Sequence, residues 1–194
     1  MQMTSEERKE DYAYVLDFMH AGKSSSSRSD PLGQLVGDKW FTLLEASTKP
    51  SVAVAIGERV YIGNGERDKI LLIKSRISYQ ELTQTSKNGL EGIVLQIIKA
   101  NEERYVSVFN RAGALNIRQH SLELLPGIGR KHLDAILKER NTKPFASFDD
   151  VMQRVSLLQD PAKLIADRVI LELQGGERFY LFAKPYFERQ ERYR

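Results

Sequence analysis

The chain contains no cysteine, which excludes disulfides, thiolate nucleophiles, iron-sulfur clusters and zinc sites of the cysteine type. A cytoplasmic location is the plain expectation. Long apolar runs are also lacking, since nothing approaches the roughly 18 residues that a membrane span requires. The amino-terminal Thr4-Ser5-Glu6-Glu7-Arg8-Lys9 is not a basic patch leading into an apolar stretch, so neither secretion nor membrane insertion is expected. The three histidines, His20, His120 and His132, are dispersed, with no pair at ligand spacing and no nucleophile motif beside them. On this reading the chain is not an enzyme and uses no metal and no cofactor.

What is present is enough apolar material for a folded core: 41% of residues are hydrophobic and 28% charged, which excludes a wholly disordered chain. A length of 194 residues accommodates one domain or two small ones, and the patterning below favours two. Net charge is only +3, from 29 basic and 26 acidic side chains, too little by itself to announce a nucleic-acid partner. The small positive balance lies toward the carboxyl end, where residues 175–194 hold five basic and three acidic side chains.

Up to about residue 85 the apolar pattern is that of strands. Tyr12, Tyr14, Leu16 and Phe18 alternate with the two-residue period of a sheet face, and further strands are expected over Lys39–Ala46, Arg59–Ile62 and Lys69–Arg76. Gly63-Asn64-Gly65-Glu66 between the last two predicts a tight hairpin, glycine and asparagine supplying positive φ. Ala21 to Pro31, with its serine run, predicts an exposed loop able to close around a ligand. From Lys87 the period turns helical: Leu90, Ile93, Val94, Ile97 and Ile98 form one stripe. Helices are expected over 87–100, 102–111, 114–123, 130–140, 148–155 and 161–174. Gly175-Gly176 ends the last of them, and Phe179-Tyr180-Leu181-Phe182 predicts a strand returning to the sheet. The expected organisation is a β domain over 1–85, a helical domain over 86–176, and a strand with a basic tail over 177–194.

The segment with the most chemical content is Leu124-Leu125-Pro126-Gly127-Ile128-Gly129-Arg130-Lys131, read as the turn of a helix-hairpin-helix element. A helix leaves its first amides without internal partners, and these amides with the aligned peptide dipoles form an anion site. Gly127 and Gly129 are expected to open unusual backbone conformations and to let a phosphate oxygen approach. Ile128 plugs the turn inward, and Arg130 and Lys131 add charged donors. Such contacts read charge and spacing, not base edges. The alternative is a Gly-containing turn that merely links two packed helices. A second helix pair follows from Phe145 to Leu173, with Ser147 and Asp160-Pro161 as caps. Its turn, Ser156 to Asp160, has no glycine and sets a carboxylate where phosphate would sit, so it is read as structural.

Residues 112–174 resemble the tandem helix-hairpin-helix domains of DNA repair and junction-binding proteins, although Leu133 stands where that pattern prefers alanine. Nearly the full length resembles an archaeal family of unknown function, the DUF655 proteins, described as RNA- or DNA-binding. The resemblance rests on Tyr12-Ala13-Tyr14-Val15-Leu16-Asp17, Phe41-Thr42-Leu43-Leu44-Glu45, Ile56 to Gly63, and Arg76-Ile77-Ser78-Tyr79. It implies an α+β fold in which a small oligonucleotide-binding-type β-barrel precedes the paired hairpins, and an archaeal source. Barrels of that type stack bases on aromatics in a basic groove. Tyr12, Tyr14, Trp40, Phe41, Tyr61 and Tyr79 are the available rings, each favoured as core over ligand contact. Arg59, Arg67, Lys69, Lys74 and Arg76 alternate with Glu58, Glu66 and Asp68 and read as a solvated surface. The expected function is therefore non-catalytic, sequence-independent nucleic-acid binding by Gly127, Ile128, Gly129, Arg130 and Lys131, to RNA or DNA. The competing expectations are a protein-interaction scaffold in a ribosomal or repair assembly and, more remotely, a repair glycosylase using Asp149 or Asp150. Asp149 is better explained as first-turn compensation of a helix dipole.

Overall fold

The computed structural model describes residues 9–19, 31–50, 52–183 and 186. The fold is α+β: a curled five-stranded antiparallel sheet, open like a half-barrel, and five α-helices. The sheet is formed by β1 (Tyr12–Met19), β2 (Leu32–Gly37), β3 (Leu43–Thr48), β4 (Arg59–Tyr61) and β5 (Ile70–Arg76), in the order β4-β1-β2-β3-β5. The chain divides into two compact units, one comprising residues up to Ile93 with those from Glu172 onward, the other running from Val94 to Leu171.

In the first unit the core is built from Ala13, Val15, Leu35, Leu44, Ala46, Val60, Ile62 and Ile70. Every residue of β2 and β3 is buried, so the simple in-out alternation expected of β1 does not hold either: Ala13, Tyr14, Val15 and Leu16 are all buried. A bulge between Val15 and Asp17 re-aims the end of that strand. β2 was not expected from the sequence, because Gly33 and Gly37 weaken its strand signal. The need for Gly37 is tertiary: a Cβ there would lie 2.1 Å from Cδ of Glu10. The buried Glu10 carboxylate accepts from the amides of Lys39 (3.0 Å), Trp40 (3.0 Å) and Thr42 (3.1 Å), bracketing the turn between β2 and β3. Burial pushes this carboxyl above its ordinary range, against the pull of those donors.

The tight hairpin expected at residues 63–66 is not formed. β4 pairs with β1, and β5 pairs with β3, so the loop joins opposite edges of the sheet. Its two glycines do not have positive φ. They make room for the ring of Tyr61: a Cβ on Gly63 would meet its hydroxyl at 2.5 Å, and the Gly65 amide donates to that hydroxyl at 3.0 Å. The loop expected over 21–31 lies, apart from Pro31, outside the described residues.

Helix α1 (Gln84–Ala100) starts three residues before the expected Lys87 because Thr83 caps it, Thr83 Oγ1 accepting from the Ser86 amide at 3.1 Å. Fully buried Gln34 accepts at 2.8 Å from both the Thr83 amide and the Ser86 hydroxyl, and Thr83 donates to Asp17 at 2.7 Å. The start of α1 is thereby fixed to β1 and β2. Phe179 to Phe182 is not a strand. The amides of Leu181, Phe182 and Ala183 donate to the carboxylate of buried Glu172 at 2.7, 2.9 and 2.8 Å, so no sheet ladder claims them.

The second unit contains α2 (Glu102–Arg111), α3 (Arg130–Thr142), α4 (Phe148–Arg154) and most of α5 (Pro161–Gln174). The helix expected over 114–123 is instead a short pair of strands, β6 (Ala114–Asn116) and β7 (Gln119–His120), followed by a 3-10 turn, Ser121–Leu124. Asn116 explains the reversal: its Oδ1 accepts from the Arg118 amide at 2.8 Å, the local side-chain bond that competes with helix. Tyr105, Phe109, Leu122, Ile136, Val151, Val155, Ile165 and Val169 form the buried centre. Arg140 donates to the carbonyls of Phe109 (3.1 Å) and Ala112 (2.7 Å), closing the end of α2. No helix among the described residues is long and apolar enough to cross a membrane.

Candidate nucleic-acid interface

Leu125-Pro126-Gly127-Ile128 forms a type II turn, in which Pro126 presets φ and Gly127 supplies φ +90°. The Ile128 amide donates to the Leu125 carbonyl at 3.0 Å. Leu125 and Ile128 are buried, so the turn is fastened from beneath while Gly127, Gly129, Arg130 and Lys131 stay exposed. A Cβ on Gly127 would approach Leu164 Cδ2 at 3.3 Å, a second reason for glycine there.

Gly129 departs from the expectation. Its φ of −92° and ψ of −178° are extended backbone open to any residue, so no unusual conformation requires glycine. What Gly129 provides is an absence: a Cβ would meet nothing within 4 Å, and as N-cap of α3 it makes no side-chain cap. The first helical bond runs from Leu133 to the Gly129 carbonyl at 2.9 Å. Ahead of it the amides of Gly127, Gly129, Arg130 and Lys131 have no acceptor among the described residues. The side chains of Arg130 and Lys131 likewise form no ion pair there.

The other helix starts are occupied. Thr83 caps α1, Glu102 and Glu103 stand in the first turn of α2, and Ser147 Oγ accepts from the Asp150 amide at 3.1 Å at the start of α4. At α5, Asp160 Oδ1 accepts from the Ala162 amide at 2.8 Å. Among the described helices only α3 begins with neither a capping side chain nor an acidic residue in its first turn. Its positive dipole end is uncompensated.

His132 reaches back over this turn, its Nδ1 lying 3.1 Å from the Gly127 carbonyl. No sequence pattern signals that contact, which spans five residues around a turn. Upstream, His120 Nδ1 accepts from the Leu122 amide at 3.2 Å while Glu123 accepts from the His120 amide at 2.7 Å, a reciprocal cap on the 3-10 turn. Burial and the Arg140 guanidinium hold His120 below its ordinary pKa, in the neutral form that the cap requires.

The remaining candidates are distributed elsewhere. Asp150 Oδ2 accepts from the Ala146 amide at 2.9 Å and from Arg154 at 3.2 Å, contacts that hold its carboxyl below the usual range. On the sheet unit, Tyr14 and Phe41 are buried, whereas Tyr12 packs edge-to-face on Tyr61 at 5.2 Å, with the Arg59 guanidinium 3.6 Å from its ring centre. Arg59 pairs with Asp38 and Lys69 with Glu58, and Arg67 donates to the Gly63 carbonyl. His20 lies outside the described residues, and no group of three metal-ligating side chains occurs among those described.

A relative from Methanocaldococcus jannaschii, an uncharacterized protein, is 40% identical over 177 residues, covering 90% of this chain and 80% of its own. A crystal structure of a protein from Archaeoglobus fulgidus is 44% identical and superposes with a TM-score of 0.85 over 90% of this chain and all of that one. Both relatives are archaeal, and the solved structure shares this α+β architecture. Residues 9–184 match the family model described as a protein of unknown function, DUF655. The chain belongs to the DUF655 family.

Proposed function

We propose that this protein is a non-catalytic nucleic-acid-binding protein that grips backbone phosphates, of RNA or DNA, through the turn from Leu124 to Lys131. In this reading the 3-10 turn, the glycine turn and α3 act as one helix-hairpin-helix, α4 and α5 as its structural companion, and the curled sheet as an oligonucleotide-binding-type barrel. The observation that carries the proposal is the set of amides, Gly127, Gly129, Arg130 and Lys131 among them, left without acceptors among the described residues at the one described helix start with neither cap nor acid. An anion placed there meets backbone donors, a helix dipole and two exposed cationic side chains together. The carboxylate of Asp150 is engaged by its own helix, which favours binding over a glycosylase role.

A change of both Arg130 and Lys131 to Ala in the full chain, followed by binding to duplex and structured RNA across salt concentrations, tests the proposal. The slope of log K against log salt is expected to fall by about 1 to 2 as the two contacts are lost, with the fold unchanged. An unaltered slope and affinity would sink it. The second reading, a protein-interaction scaffold, draws on β5, whose Leu71 and Leu72 are both 56% exposed on an edge strand. It is favoured if affinity capture from native cells returns proteins and no nucleic acid.

A further inference from the structure

On the sheet unit, where the loop 62–69 meets the start of β5, an open cleft of about 230 Å³ is lined by Lys49, Asn64, Gly65, Arg67, Ile70 and Leu71. Charge alternates along the chain from Glu66 to Lys69, but it does not alternate around this cleft. Arg67 lines it, Glu66 and Asp68 do not, and among the described residues no carboxylate does. Asp68 instead lines a neighbouring depression with Glu58, Arg59 and Lys69. There Lys69 pairs with Glu58, and Arg59 pairs with Asp38. The cations of the depression are neutralised, whereas Lys49 and Arg67 form no ion pair with a described residue. Both are partly buried, which raises the cost of leaving a cation without an anion.

The loop holds its arginine in place. Arg67 Nε donates to the Gly63 carbonyl at 3.0 Å, which leaves the N–H groups of both terminal nitrogens without a partner among the described residues. The Gly65 amide donates to the Tyr61 hydroxyl at 3.0 Å and pins the same loop to β4. The donors gathered here are a guanidinium fork, an ammonium and the exposed Asn64 amide. A carboxylate would use the fork alone, whereas a tetrahedral phosphate has oxygens for the fork, the ammonium and the amide together. Leu71, exposed beside them, provides an apolar shelf for the organic part of an ester.

We propose that this cleft binds the phosphate of a nucleotide, its oxygens held by Arg67, Lys49 and the Asn64 amide and its sugar against Leu71. The site belongs to the sheet unit, whereas the glycine turn belongs to the other compact unit, and neither site requires the other. The same chemistry suits the monoester of a free nucleotide and the diester of a nucleic-acid backbone.

Uridine monophosphate, a single-stranded oligouridylate and uridine are titrated to millimolar concentration into the full-length protein at constant ionic strength, with backbone amide resonances followed by NMR. Shifts are expected at Asn64, Gly65 and Arg67 with the phosphate-bearing ligands and not with uridine. A response to the monophosphate alone assigns the cleft to free nucleotides, and a response to the oligouridylate assigns it to the backbone diester. Lys49→Ala with Arg67→Ala is expected to weaken this response about tenfold through loss of charge-assisted bonds, and the Arg130→Ala, Lys131→Ala protein should retain it. Should the Arg67 change melt the protein early through loss of its Gly63 bond, Lys49→Ala alone gives the same test with a several-fold loss, because the Lys49 side chain bonds no described residue. Absence of shifts at Asn64 to Arg67, shifts matched by uridine, or shifts untouched by these variants would each overturn the cleft. Shifts at Gly127 to Lys131 in the same samples would then leave the clamp standing, and shifts at the cleft alone would keep the cleft and remove the clamp.

Discussion

At the residue scale the informative contrast is between Gly127 and Gly129. The Leu-Pro-Gly-Ile sequence is sufficient to read the type II turn, because proline at its second position and glycine at its third each have a local backbone reason. Of the two reasons expected for Gly129, the unusual backbone conformation is absent, and what it offers is the missing side chain. His120 shows the same limit: its capping of the Leu122 amide depends on a fold that turns Asn116 to His120 into a hairpin. The pH response follows from that cap. His120 is depressed below its ordinary value of 6.5, so its contribution to stability is present above the unfolded pKa and is lost as pH falls through the folded one. Melting temperature is therefore expected to drop on acidification below about pH 6.5. Substitution of Asn for His120 keeps a capping oxygen and should flatten that drop. An equal drop in the variant would assign the acid sensitivity elsewhere.

Among the elements, those with a strong periodic stripe were legible: α2, α4 and α5 begin where cap and apolar pattern place them. Elements that depend on distant partners were not. β2 carries two glycines, of which Gly37 makes room for Glu10. The loop 62–69 carries turn residues that serve a tyrosine ring, and Phe179 to Phe182 has strand-like composition but lends its amides to Glu172. The turn ahead of α3 was legible in its proline and glycine, whereas the helix expected before it is only a 3-10 turn. The helix starts provide a control. Ser147→Ala removes the cap of α4 and is expected to cost about 1 kcal/mol, measured by denaturant unfolding, while nucleic-acid affinity stays unchanged. A parallel loss of affinity would mean that binding reports general stability and not the start of α3.

For the whole molecule, a net charge of +3 gives little long-range attraction, and under the proposed function it is local geometry, the uncapped start of α3, that holds a phosphate. Gly129→Asp tests it most directly, because Gly129 already has extended N-cap backbone and open space for a side chain. The new carboxylate would cap α3 and satisfy its dipole, adding about 1 kcal/mol of stability, while occupying the anion site with a fixed negative charge. The measurement is duplex and RNA affinity beside unfolding free energy in the same variant. The expected variant is more stable and no longer binds; a more stable variant with undiminished affinity would show that the start of α3 holds no phosphate.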